Sequence, residues 1–145
     1  MKNILLVEDD SFFVDIYTTK LKEANFSVEV AGNGEEALRK IKEKVPDLVL
    51  LDIVLPYIDG WEILEKIKNE KLKTELPSME AEVKKRTKFS SPMKNESLEN
   101  LKIVVLSNLG QKEEIEKGLE LGATKYLIKA QYTPSQVVEE IKSLF

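Results

Sequence analysis

The sequence predicts an α/β domain in which a five-stranded parallel sheet is covered by helices on both faces, the order being (βα) five times. Three observations predict it. Short apolar, β-branched runs recur five times along the chain, and a segment with helical spacing follows each of them. The runs are apolar nearly throughout rather than at alternate positions, as strands buried on both faces require. With 145 residues, 42% of them hydrophobic, the chain can bury one continuous core without staples, so a single domain over 1–145 is expected.

The first strand runs from Asn3 to Val7, and the helix after it places Phe13, Ile16, Tyr17 and Leu21 on one face, with Ser11 as its cap. Val28 to Ala31 forms the second strand, and Asn33 or Gly34 starts a helix that turns Ala37, Leu38 and Ile41 inward. Leu48 to Leu51 is the third; Asp59 and Gly60 start its helix, which buries Ile63, Leu64 and Ile67. Ile103 to Leu106 is the fourth, followed by a helix whose buried stripe is Ile115 and Leu119. Tyr126 to Ile128 completes the sheet, and Thr133 followed by Pro134 opens a last helix that buries Val137, Val138, Ile141 and Leu144. Right-handed crossovers on such a pattern favour a doubly wound, flavodoxin-like sheet.

One segment breaks the rhythm. Roughly thirty residues separate the third helix from the fourth strand, where compact α/β units usually use two to six. Residues 76–100 therefore read as an insertion within the domain, in which Met79 and Val83 can share one side of a short helix. Acidic and basic residues balance from Glu75 to Asn100, although Lys84, Lys85, Arg86 and Lys88 form a local basic cluster suited to an acidic partner.

Composition removes several function classes. Without cysteine there is no disulfide framework or thiol chemistry, and without histidine there is no imidazole catalysis; oxygen ligands for hard cations remain. A net charge of −4, from 22 basic and 26 acidic side chains, supplies no broad positive field, so neither direct DNA binding nor an output domain for it is expected. The amino terminus enters a strand directly and no apolar run is long enough to span a bilayer, so a cytoplasmic protein without a membrane partner is expected.

Ligands of open parallel sheets bind at the carboxyl ends of the strands. Strand one ends in Glu8, Asp9 and Asp10, strand three in Asp52, strand four in Ser107 and Asn108, and strand five in Lys129. Carboxylates gathered there repel one another and call for a cation, and magnesium suits Glu8, Asp9 and Asp52 because it takes one or two carboxylates with water and phosphate oxygens. Manganese or calcium can substitute. Beside such an ion Asp52 can attack a phosphoryl group as a nucleophile, while Lys129 pairs with one phosphoryl oxygen and the Ser107 hydroxyl donates to another.

The stretches LLVEDD, LVLLDIVLPYIDGWEIL, IVVLSN and LGATKYLIK resemble, in order and spacing, the motifs of response-regulator receiver domains, and the resemblance covers nearly the whole chain outside the insertion. It implies a phosphoacceptor switch of a two-component system or phosphorelay. Glu8 and Asp9 match the acidic pair, Asp52 the phosphoacceptor, Ser107 the switch hydroxyl and Lys129 the conserved-type lysine. By the same resemblance the Val54 carbonyl completes the metal shell, and Tyr126 is the aromatic that swings inward as the hydroxyl moves. A histidine kinase or phosphotransfer protein would donate the phosphoryl group and a downstream protein would read the result. Such a chain is a regulator rather than an enzyme.

Two positions depart from the family pattern. Ala130 follows Lys129 where the family has proline, often cis, and Asn108 follows Ser107 where it favours a small residue. A cis bond at Ala130 would be costly, so a more mobile last loop is expected, with an altered phosphoryl lifetime. Rival chemistries fit less well. A dehalogenase-type phosphatase needs a second acid two residues after its nucleophile, where this chain has Val54. Phosphate loops of flavin carriers or P-loop enzymes are missing after the first strand, where Glu8, Asp9 and Asp10 would repel a phosphate. The remaining alternative is a receiver-fold interaction module that works without phosphorylation.

Overall fold

The computed structural model of the chain describes residues 1–75 and 98–145. Its five strands are β1 (Asn3–Val7), β2 (Ser27–Ala31), β3 (Leu48–Leu51), β4 (Lys102–Ser107) and β5 (Lys125–Ile128). They alternate with α1 (Ser11–Glu23), α2 (Gly34–Glu43), α3 (Gly60–Glu75), α4 (Lys112–Glu120) and α5 (Pro134–Lys142), and a short 3-10 turn (Lys129–Gln131) precedes the last helix. All four strand pairings are parallel and the spatial order is β2-β1-β3-β4-β5. The expected doubly wound sheet is therefore the architecture.

Alternate residues of the central strands divide the core in two. Leu5, Val7, Val49, Leu51, Ile103 and Val105 face Ala37 and Ile41 of α2 and Ile63, Leu64 and Ile67 of α3. Ile4, Leu6, Leu48, Leu50, Val104 and Leu106 face Tyr17 and Leu21 of α1 and Val137, Val138 and Ile141 of α5. Burial of both strand faces explains why the sequence shows continuous apolar runs. Trp61 is partly buried against the first of these layers.

Most helix starts follow their local signals. Asn33 accepts from the Glu36 N–H at 2.8 Å, and Asp59 accepts from the Glu62 N–H at 3.0 Å. Thr133 and Gln136 close a reciprocal capping box, with Pro134 in the first turn. The first helix differs from expectation: Asp10 is its cap, accepting from the Phe12 N–H at 2.9 Å, and Ser11 is the first helical residue. A carboxylate both satisfies a free N–H and meets the positive end of the helix dipole, which a hydroxyl does less well.

The fourth helix is the larger correction. Leu119 is 46% exposed, Ile115 is only half-buried, and the residue of α4 that is fully buried is Gly118. The segment KEEIEKGLE has too few apolar residues for a stripe, so α4 approaches the sheet through its glycine instead. A Cβ added at Gly118 would lie 2.7 Å from Cδ2 of Tyr126, which shows how closely that ring lies against the helix. Residues 76–97, including Met79, Val83 and the basic cluster Lys84, Lys85, Arg86 and Lys88, lie outside the described residues.

Candidate functional site at the carboxyl edge of the sheet

Strand register brings the expected residues to one level. Val7 pairs with Leu51 and Ser107 with Ile128, so Glu8, Asp52 and Lys129 each follow the last paired residue of a strand. Backbone bonds carry the ladder one residue further: Glu8 N–H donates to the Ala31 carbonyl and Asp52 N–H to the Val7 carbonyl, both at 3.1 Å. Glu8, Asp52 and Ser107 are the buried polar or charged residues among the described residues, and all three stand at this edge. Burial without paired groups would be costly, so their partners define the site.

Lys129 supplies the pairing. Its ammonium donates to Glu8 Oε2 at 2.7 Å and to Asp52 Oδ2 at 3.1 Å, and its side chain is 7% exposed. Oxygen atoms of Glu8, Asp9 and Asp52 all lie within 4.8 Å of one another. Three carboxylates against one ammonium leave an excess of negative charge, and oxygen donors at this spacing suit a hard divalent cation. Asp10, the fourth acid at the strand ends, is committed to capping α1.

The titration behaviour follows from this crowding. Burial pushes the Glu8 carboxyl up, and the Asp52 charge adds to that rise while the Lys129 hydrogen bond opposes it. Burial disfavours the charged form of Lys129, but its bond to Glu8 and the charge of Asp52 outweigh that and raise it.

The loop positions are equally specific. The Val54 N–H donates to Asp52 Oδ1 at 3.2 Å, which holds the β3–α3 loop close to the carboxylate, while the Val54 side chain is 61% exposed. Ser107 is fully buried and its hydroxyl accepts from the Leu109 N–H at 3.2 Å. Asn108 beside it is exposed. Tyr126 is half-buried, packed on the α2–α3 side of the core, and its hydroxyl donates to the Leu109 carbonyl at 2.5 Å. Burial, followed by the charge of Glu114, pushes its phenol up. No described peptide bond is cis, so Ala130 follows Lys129 through the ordinary trans form.

Two contacts had no clear sequence signal. Phe13 packs against the α1–α5 layer as its place in the α1 stripe predicts, and its ring also lies under the Lys129 ammonium, with the nitrogen 4.3 Å from the centroid. The Leu109 carbonyl, which receives the Tyr126 hydroxyl, is a backbone group that no residue pattern marks. Both depend on a helix or strand of one βα unit meeting a loop of another at this edge.

Comparison with known proteins places this geometry in a family. Over 145 residues the chain is 29% identical to the alkaline phosphatase synthesis transcriptional regulatory protein PhoP of Bacillus subtilis, covering 99% of this chain and 48% of PhoP. It is 30% identical over 129 residues to the probable C4-dicarboxylate response regulator DctR of the same organism, covering 87% of this chain and 45% of DctR. The chain thus spans about half the length of these curated relatives. A CheY-like response regulator receiver domain protein from Methanospirillum hungatei superposes with a TM-score of 0.74 at 26% identity, covering 99% of this chain and 93% of that one. Among the described residues no helix is long and apolar enough to cross a membrane. The sequence profile of the response regulator receiver domain matches residues 4–89, and the chain belongs to that family.

Proposed function

We propose that this receiver domain is a phosphoacceptor switch of a two-component system or phosphorelay, modified on Asp52 in the presence of magnesium. The observation that carries the reading is a buried Asp52 carboxylate paired with Lys129 inside a cluster of three acids. Glu8, Asp9, Asp52 and the Val54 carbonyl would hold magnesium, or manganese in its place; the ion supplies charge neutralisation as a phosphoryl group approaches the acids. An Asp52 oxygen attacks the phosphorus of the donor. The new P–O bond forms as the bond to the leaving group breaks, and the electron pair departs with that group. Lys129 pairs with a phosphoryl oxygen, and the Ser107 hydroxyl donates a hydrogen bond to another.

The signal then passes to the face of α4 and β5. A tenfold shift between two arrangements needs about 1.4 kcal/mol of preference, within the range of one charge-assisted hydrogen bond. If Ser107 moves toward the phosphoryl group, its bond to the Leu109 N–H is lost, and Leu109 is also where Tyr126 is tethered. That shared residue supports a coupled movement of Ser107 and Tyr126. The donor is a histidine kinase or phosphotransfer protein, and the output is a downstream protein target rather than DNA. The domain acts in the cytoplasm as one unit over 1–145, with 76–100 as an inserted segment.

Wild type and Asp52→Asn are incubated with magnesium and acetyl phosphate and read by intact mass. One added phosphoryl group on the wild type alone is expected. A folded wild type that binds the metal and takes no phosphoryl group would instead mark an interaction module that works without phosphorylation.

A further inference from the structure

Lys129 begins a loop whose backbone does little to hold it. The 3-10 turn spans only Lys129–Gln131, and the bond that closes it, from the Tyr132 N–H to the Lys129 carbonyl, is 3.5 Å long. Its ammonium has three donors; Glu8 and Asp52 take two of them, and a remaining side of the nitrogen meets the face of Phe13. That ring is itself fixed. Phe13 stacks on Tyr17, one helical turn along α1, with centroids 6.2 Å apart and planes 23° apart, and Tyr17 is only 2% exposed. Phe12, itself 65% exposed, meets the Phe13 ring in a T-shaped arrangement, with centroids at 5.6 Å and planes at 73°.

We infer that Phe13 is a positioning residue for Lys129: its ring face, backed by Tyr17, holds the ammonium against the Asp52 carboxylate. A cation over an aromatic face is attracted by the ring quadrupole, most strongly where water is excluded. The ring leaves the carboxylate side of the nitrogen open while limiting the rotamers of a long, flexible side chain. An aliphatic side chain of similar size would fill the space and offer no such attraction. The role in phosphoryl transfer rests on the function proposed above; the seating of Lys129 does not.

The test compares full-length wild type with Phe13→Leu, Phe13→Met and Phe13→Tyr. Two quantities are read: the initial rate of modification by acetyl phosphate with magnesium, and the NMR shift of the Lys129 ε-methylene protons, which a ring beneath the nitrogen moves upfield. Phe13→Leu is expected to slow modification about fivefold, matching the loss of one desolvated cation–π contact, while Phe13→Tyr stays within about twofold of wild type. The upfield shift should vanish in the leucine variant and persist in the tyrosine variant. Phe13→Met serves the same comparison if the leucine variant does not fold. Unchanged modification in both aliphatic variants, or equal losses in the leucine and tyrosine variants, overturns the positioning role. If the wild type takes no phosphoryl group, the phosphoacceptor reading fails by itself. The proton shift then decides the Phe13 contact: its presence in wild type and loss in Phe13→Leu supports the seating, and its absence from wild type overturns it.

Discussion

The helices on either side of β5 are both nine residues long and are held by different means. Helix α5 buries Val137, Val138 and Ile141 among strand residues, under a capped and proline-initiated first turn. Helix α4 buries only Gly118, and its neighbours are aromatic: the Tyr126 ring lies against that glycine, and the Lys117 ammonium sits 4.5 Å from the Trp61 centroid. Interlocking aliphatic side chains give a helix one favoured seat, since any shift opens voids. A glycine beside the Cδ2 and Cε2 atoms of a ring brings no interlocking side chain, so a small shift opens less void. The weakly seated helix is the one next to Tyr126 and Leu109, where the proposed signal emerges. Elements that move in a switch come from the less stable part of a fold.

The difference between the helices can be measured directly. Ile141→Ala should destabilise the domain by about 2–5 kcal/mol, as a large-to-small change at a fully enclosed site, whereas Leu119→Ala should stay within about 0.5 kcal/mol. Urea denaturation of the two variants compares them, and equal losses would end the claim that α4 is loosely seated.

A smaller effect is expected at the glycine. In Gly118→Ala the new methyl would lie 2.7 Å from Cδ2 and 3.0 Å from Cε2 of Tyr126, so the ring must move or the helix must lift. Crowding of about 1–3 kcal/mol is partly offset by the roughly 1 kcal/mol that alanine gains over glycine within a helix, leaving a net loss of about 1 kcal/mol. Tyr126 ring proton shifts report which of the two moves. Ring shifts identical to wild type would show that α4 lifts instead.

The smallest effect concerns the tie between β5 and α5. Lys125 pairs with Glu140 across that junction, with side chains 32% and 36% exposed. Lys125→Met should cost at most about 1 kcal/mol at low ionic strength, and the difference from wild type should shrink in 1 M salt as charges are screened. A larger loss that persists in salt would show that packing of the lysine stem, not charge, fastens α5 to the strand.

Legibility along the chain followed the range of the forces involved. Fully apolar runs marked strands buried on both faces, and Asn33, Asp59 and Thr133 marked helix starts, because each signal involves residues a few positions apart. The cap of α1 falls on Asp10 rather than the expected Ser11 for a related reason: both residues can cap, and only the direction of the Asp10 side chain separates a cap from a neighbour of the site acids Glu8 and Asp9. Helix α4 lacks the expected stripe of Ile115 and Leu119 because its packing depends on the absence of a side chain at Gly118, which no apolar period marks.

The sequence by itself determined the (βα) five-fold order, the parallel sheet and the set of acids, hydroxyl and lysine at the strand ends. Strand identity and the residues just past each strand are local properties, and the rule that sites form at carboxyl edges does the rest. Tertiary structure alone decided which groups meet. The pairing of Lys129 with Glu8 joins positions 121 apart in sequence, and the seat on Phe13 and the tether of Tyr126 to Leu109 likewise join separate βα units. Such contacts depend on strand register, helix rotation and loop path together, and no short window of sequence contains all three.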